Sequence, residues 1–194
     1  MILSDRQIEQ AIKKGRIIIT PEVDPSQFDS SSLNLRVGDD FRVWKDSLRA
    51  PGTGHSIELD SINLADLFDL TDPLVPIDGT IVIRPDAFVL VRTLEHVTLP
   101  LEGRIAARVE GRSKQARLGL TAHITAPTIH AGFSGNITLE IKNFGPFELK
   151  IVPNQSRLCQ LIFEEVGAIP KRGGSSAFSR QATPLGTPKK KKKR

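Results

Sequence analysis

The chain has 194 residues, 39% of them hydrophobic and 25% charged, which is long enough for one domain to bury a core without disulfides or a structural metal. No apolar run approaches the roughly 20 residues that cross a bilayer, Cys159 is the only cysteine, and Met1 to Ser4 leads into a polar amphipathic segment rather than a signal-peptide core. A cytoplasmic protein with no membrane partner is expected. The net charge of +5 comes from the end of the chain, because Lys189 to Arg194 supplies six of the 27 Lys and Arg and leaves 21 against 22 Asp and Glu. A terminal like-charge run reads as a solvated tail, and a chain without tyrosine offers few platforms for stacking bases, so no specific nucleic-acid partner is expected.

Ser4 followed by Gln7 has the capping-box spacing, and Ile8, Ala11 and Ile12 share one face before Gly15, which predicts a short N-terminal helix. The period then changes. Arg16–Thr20, Leu33–Val37, Phe41–Trp44, Thr80–Ile83, Phe88–Thr93, Gly103–Val109, Leu118–Ala122, Ile137–Ile141, Phe147–Ile151 and Leu158–Phe163 are short runs rich in Val, Ile, Leu and Phe, bounded by Gly, Pro, Asp or Asn. That pattern predicts a mainly β fold, a distorted β-barrel or double-sheet jelly roll, with a helical turn or two within Asp60–Phe68. Past Val166 the apolar periodicity fades into Gly173-Gly174-Ser175-Ser176 and then Pro184, Gly186 and Pro188. Residues 1–166 therefore read as one β domain and 167–194 as a flexible arm with a basic tail.

Several chemistries lack their parts. One cysteine cannot supply the paired-cysteine motif of the zinc deaminases. His55, His96, His123 and His130 show no HExxH spacing, and there is neither a Walker loop nor a Rossmann glycine fingerprint. No metal held by protein ligands is expected. The densest polar stretch is Glu110-Gly111-Arg112-Ser113-Lys114-Gln115-Ala116-Arg117, whose glycine, cations and hydroxyl suit a phosphate-binding turn; composition alone fits a charged surface turn equally well. The loop from Thr125 through Ala126, Pro127, His130 and Phe133 to Gly135 is shaped by its proline and glycines. In the strand that follows, Ile137, Leu139 and Ile141 point one way and Asn136, Thr138 and Glu140 the other. A lone glutamate there is ordinarily a solvent-facing residue.

With Gly111-Arg112-Ser113, Ala116-Arg117-Leu118-Gly119-Leu120, Ala131-Gly132-Phe133-Ser134-Gly135 and Ile137-Thr138-Leu139-Glu140 in that order, the segment from Arg108 to Glu140 closely resembles the dCTP deaminases of the dUTPase superfamily. Met1-Ile2-Leu3-Ser4-Asp5, Ser31-Ser32-Leu33-Asn34-Leu35-Arg36-Val37-Gly38 and Cys159-Gln160-Leu161-Ile162-Phe163-Glu164 are similar to the same family, so the resemblance covers most of the chain. It implies a homotrimer of dUTPase-type barrels with sites between subunits, an arm that closes over nucleotide, and zinc-free deamination of dCTP to dUTP and ammonia. Glu140 matches the general acid and base, Ser113 and the Ala126 carbonyl match the groups that orient the water, and Arg117 matches the arginine beside them. Arg112, Ser113 and Gln160 resemble the triphosphate contacts, and Lys114 stands where many relatives carry a second serine. Thr125, His130 and Phe133 fall at the nucleoside, with the Phe133 ring against the sugar, and Arg180 and Gln181 of the arm fall at the γ-phosphate. Mg2+ is expected only with the triphosphate, and dTTP is implied as a possible inhibitor.

One departure bears on the product. Related deaminases and dUTPases commonly carry an aspartate where this chain has His130, and in dUTPases that carboxylate activates the water that attacks phosphorus. A neutral imidazole hydrogen-bonds but supplies no fixed negative charge; as a plain loop residue His130 would make neither contact. The expected main product is therefore dUTP. The alternatives are a bifunctional enzyme giving dUMP, a dUTP pyrophosphatase alone, and, from another class, a catalytically silent dNTP-binding regulatory protein.

Overall fold

The computed structural model describes residues 1–49, 54, 56–58, 60, 64–172 and 184–185. His55, Arg180, Gln181 and the Lys189 to Arg194 run lie outside the described residues. Helix α1 (Asp5–Lys13) starts where expected: the Ser4 side chain accepts the Gln7 N–H, the Gln7 side chain accepts the Ser4 N–H, and Ile8 and Ala11 are buried. Besides three short 3-10 turns, the other described elements are β1 (Ile18–Thr20), β2 (Phe28–Asp29), β3 (Ser32–Trp44), α2 (Leu64–Leu70), β4 (Thr71–Pro73), β5 (Ile81–Ile83), β6 (Phe88–Thr98), β7 (Ile105–Gly111), α3 (Ser113–Ala116), β8 (Thr128–Ile129), β9 (Ser134–Lys142), β10 (Leu149–Ile151) and β11 (Arg157–Glu165).

The mainly β expectation holds. A curled antiparallel sheet runs β1-β6-β3-β11-β7-β8, with β2 and β4 paired to β3 and β9 paired to β6, while β5 and β10 form a two-stranded sheet. The strands bury alternate residues: Leu33, Leu35 and Val37 of β3, Ile137, Leu139 and Ile141 of β9, and Leu161 and Phe163 of β11 all enter one core. A one-residue slip would turn each of these sets toward solvent, so the hydrophobic pattern fixes the register. No described helix is long and apolar enough to cross a membrane.

Two expectations change. Leu33–Val37 and Phe41–Trp44 belong to one strand, β3, whose register against β6 shifts between Val37 and Phe41. Leu118–Ala122 is not a strand; Leu120 makes a single bridge to Asn143. Here Gly119 takes a left-handed φ of 88° and packs backbone to backbone against Gly145, where an added Cβ would collide with the Leu118 carbonyl. This close crossing bends the chain out of any continuous ladder.

The corner at Thr93–Glu95 of β6 orients the sheet. The register against β9 shifts between Arg92 and His96, and side chains take over from the interrupted ladder. The Thr93 hydroxyl donates to the Glu95 carbonyl (2.8 Å) and accepts the Ile137 N–H (2.9 Å), while Asn136 Nδ2 donates to the carbonyls of Thr93 (3.0 Å) and Leu94 (3.1 Å). Glu95 is fully buried. Its carboxylate accepts the Arg36 N–H and Nε–H, both at 2.8 Å, and Gln27 Nε2 at 3.0 Å, so the charge is paired and hydrogen-bonded as burial demands. Burial, reinforced by the Glu95 charge, pushes the nearby Cys159 thiol up to about 12, which keeps it protonated and unreactive.

Removing one partner of a buried ion pair strands the other. Glu95→Ala is expected to cost about 3–5 kcal/mol of stability, and Glu95→Gln less, because one amide oxygen still accepts. Urea unfolding of the two variants beside wild type measures both values.

Candidate active site

Strand β9 presents Glu140 by simple alternation: Ile137, Leu139 and Ile141 are buried, and Asn136, Thr138 and Glu140 are half-buried on the opposite face. Glu140 pairs directly with Leu90 of β6, and residues opposite one another in an antiparallel pair share a face. Both line a cavity of about 400 Å3. The segment 121–127 crosses between β7 and β9 and is strapped to each. The Thr121 N–H donates to the Lys142 carbonyl (3.0 Å), Ile124 N–H to Glu140 Oε2 (3.1 Å), and Val109 N–H to the Pro127 carbonyl (2.8 Å). These bonds hold the loop over the carboxylate and fix one of its oxygens.

The structure brings four of the expected site residues to this cavity, namely Ala126, His130, Phe133 and Glu140. Phe133 is buried in the wall. His130 is exposed at the rim, on a turn closed by the Phe133 N–H to His130 carbonyl bond (3.1 Å) and by Gly132 at φ 89°. Thr125 is exposed and does not line the cavity. Other lining residues carried no site assignment. His123 presents an imidazole whose Nδ1 is buried without a partner, and Leu67 arrives from α2. The Thr138 hydroxyl donates to the Pro184 carbonyl at 3.0 Å, and Leu185 beside it is 1% exposed, so these two residues of the arm pack against the domain. Thr138 was accessible from the β9 alternation, two residues before Glu140. Leu67, Leu90 and Leu185 had no local signal, because distant elements deliver them.

The expected phosphate turn stands apart. It starts at the end of β7 and continues into α3, leaving Ser113, Lys114 and Arg117 exposed. Arg112 lines a second cavity of about 470 Å3 together with Lys150 and Arg157, a cationic set that suits an anion. Arg112 Nη1 and Gln115 Nε2 both donate to the Arg157 carbonyl, at 3.3 and 2.7 Å. Gln160 sits under the turn, its Nε2 donating to the Gly111 carbonyl at 3.0 Å. One chain thus places Glu140 and Ala126 on one cavity and Arg112 on another, and Ser113, Lys114, Arg117 and Gln160 line neither. Among the described residues no three His, Cys, Asp or Glu side chains converge as metal ligands.

A carboxylate with one oxygen held by Ile124 and the cavity before it can take a proton from water and return it to a bound ligand. The apolar walls from Leu90, Ile129, Phe133 and Ile137 suit a planar ring.

A family model described as dCTP deaminase-like matches residues 2–166. A protein of Methanosphaera stadtmanae named "dCTP deaminase, dUMP-forming" is 42% identical over 164 residues, covering 84% of this chain and 78% of that one. Its namesake in Methanobrevibacter smithii is 40% identical over 163 residues (84% and 79%), and that in Methanothermobacter thermautotrophicus 39% over 172 residues (88% and 82%). The fold is similar to the crystal structure of 2'-deoxycytidine 5'-triphosphate deaminase from Agrobacterium tumefaciens, with a TM-score of 0.61 and 24% identity over 84% of this chain; the match spans 48% of that chain.

Proposed function

The chain belongs to the dCTP deaminase-like family, and from that premise we propose that it deaminates dCTP and carries the product on to dUMP. The observation that carries the deaminase reading is Glu140, held through one oxygen by the Ile124 N–H at an apolar cavity. Water adds to C4 of the cytosine ring while Glu140 takes its proton and passes it to N3. The tetrahedral adduct then collapses, the amino group leaves as ammonia with a second proton, and C4 becomes the uracil carbonyl. In this reading the Ser113 hydroxyl and the Ala126 carbonyl orient the water, Arg117 steadies the charge beside it, and Arg112 with Gln160 serves the triphosphate. Mg2+ travels with the nucleotide, and dTTP, which shares the triphosphate, competes for the site.

The second step consumes another water at the bond between the α and β phosphates and releases pyrophosphate. It is favoured by the dUMP-forming names of relatives at 39–42% identity, against the expectation of dUTP. His130 supports the other reading, in which dUTP is the end product, because it supplies no fixed carboxylate to activate that water. A catalytic unit larger than one chain also belongs to the proposal. Arg112 and Glu140 line separate cavities, and in a homotrimer the turn of one copy meets the Glu140 cavity of the next.

Incubation with dCTP and Mg2+ separates the two products. Pyrophosphate and dUMP appearing in step with ammonia support the two-step enzyme; accumulating dUTP supports the single step, and His130→Asp is then expected to raise the dUMP fraction. Glu140→Gln preserves shape but loses the base, so turnover should fall about 100-fold to 10,000-fold while calorimetry still detects dCTP binding. A rate within about threefold of wild type would remove Glu140 from the mechanism. Light scattering is expected to give a mass near three chains, and full activity from a monomer would contradict the shared site.

A further inference from the structure

The Ser32 motif takes no part in the chemistry above, yet it reaches the phosphate turn through one side chain. Strand β11 lies between β3 and β7, and Gln160 pairs with Asn34 on one side and Glu110 on the other. Its carboxamide is engaged at both ends. Gln160 Oε1 accepts the Ser32 hydroxyl at 2.7 Å, and Nε2 donates to the Gly111 carbonyl at 3.0 Å. Ser32 is 3% exposed, so its hydroxyl has little access to water as an alternative partner. Turning the amide over would set Oε1 against the Gly111 carbonyl, two acceptors in contact. With Ser32 as donor, the hydroxyl, the amide oxygen and the Gly111 carbonyl each have a partner.

Gly111 ends β7 and immediately precedes Arg112 and Ser113. Whatever fixes its carbonyl also fixes the peptide plane that it shares with Arg112, and so the direction in which Arg112 leaves the sheet. We propose that Ser32 is a positioning residue for the phosphate-binding turn: through Gln160 it sets the Gly111 carbonyl and, with it, the approach of Arg112 to the triphosphate. This rests on the reading of the chain as a dCTP-binding enzyme. Ser32 makes no hydrogen bond to Glu140 or to the 121–127 loop that holds it, so its influence falls on nucleotide binding and leaves the proton transfers alone.

The test is steady-state deamination of dCTP by the full chain. Ser32→Ala leaves Gln160 Oε1 without its donor, and KM is expected to rise about fivefold to tenfold, the scale of one lost buried hydrogen bond, with kcat within about twofold of wild type. Ser32→Thr, which keeps the hydroxyl, restores KM. Should the alanine variant melt below the assay temperature, Ser32→Cys keeps the size with a weak donor and is expected to raise KM in the same direction. An unchanged KM in these variants, or a fall in kcat with KM unchanged, overturns the inference while the functional reading stands. A wild-type chain that neither binds nor turns over dCTP removes the functional reading and this inference together, before any variant is compared.

Discussion

The corner at Thr93–Glu95 is the constraint on which the rest of the structure depends. Backbone pairing fails there on β6, and a kink with unpaired peptide groups in a core would cost several kcal/mol per group if nothing replaced the ladder. Thr93, Asn136 and the Ile137 N–H rebuild the lost bonds toward β9, while the buried Glu95 carboxylate gathers Arg36 and Gln27 from the β3 side. One corner therefore sets the angle of β9 and the seat of β3. Glu140 lies three residues beyond Ile137 on β9, and Ser32 lies at the start of β3, so both ends of the proposed site take their orientation from this kink.

From that frame the molecule separates two tasks. The proposed ring end of the site is an apolar cavity with one carboxylate, and its loop is tied to the strands at Thr121, Ile124 and Pro127 and seated in the core by Ala122. The proposed phosphate end lies on β11 and β7, where Gln160 and Gly111 support a turn rich in cations. In the proposed function the exposed Lys114 and Arg117 are accessible to an anion that brings its own counterion.

His130 stands where the family resemblance leads one to expect an aspartate. An imidazole at an exposed rim donates and accepts hydrogen bonds, so the proposed contact with the sugar is compatible with a histidine in place of a carboxylate. Activation of a second water is more demanding, because it needs a basic group that is unprotonated and aimed at that water. The relatives named as dUMP-forming are similar to this chain over most of its length, which places the weight of the product question on this one side chain and its surroundings.

The sequence by itself determined the class of fold, the N-terminal helix and the alternation on β9, because the capping box and the period of two are local rules that act within a few residues. It also determined the order of the motifs that carry the family likeness, and so Glu140, Ala126, His130 and Phe133 could be named together before any geometry was known. Only the tertiary structure decided that Leu33–Val37 and Phe41–Trp44 are one strand and that Leu118–Ala122 is none, since the second depends on Gly145 approaching Gly119 from far along the chain. The same holds for the cavity walls. Leu90 faces Glu140 through strand register, Leu67 and Leu185 come from a distant helix and from the arm, and Ser32 meets Gln160 across 128 positions of sequence. Spacing along a chain records which residues share a face of one element, whereas contacts between elements are set by packing the whole core, and that information is distributed over every buried side chain at once.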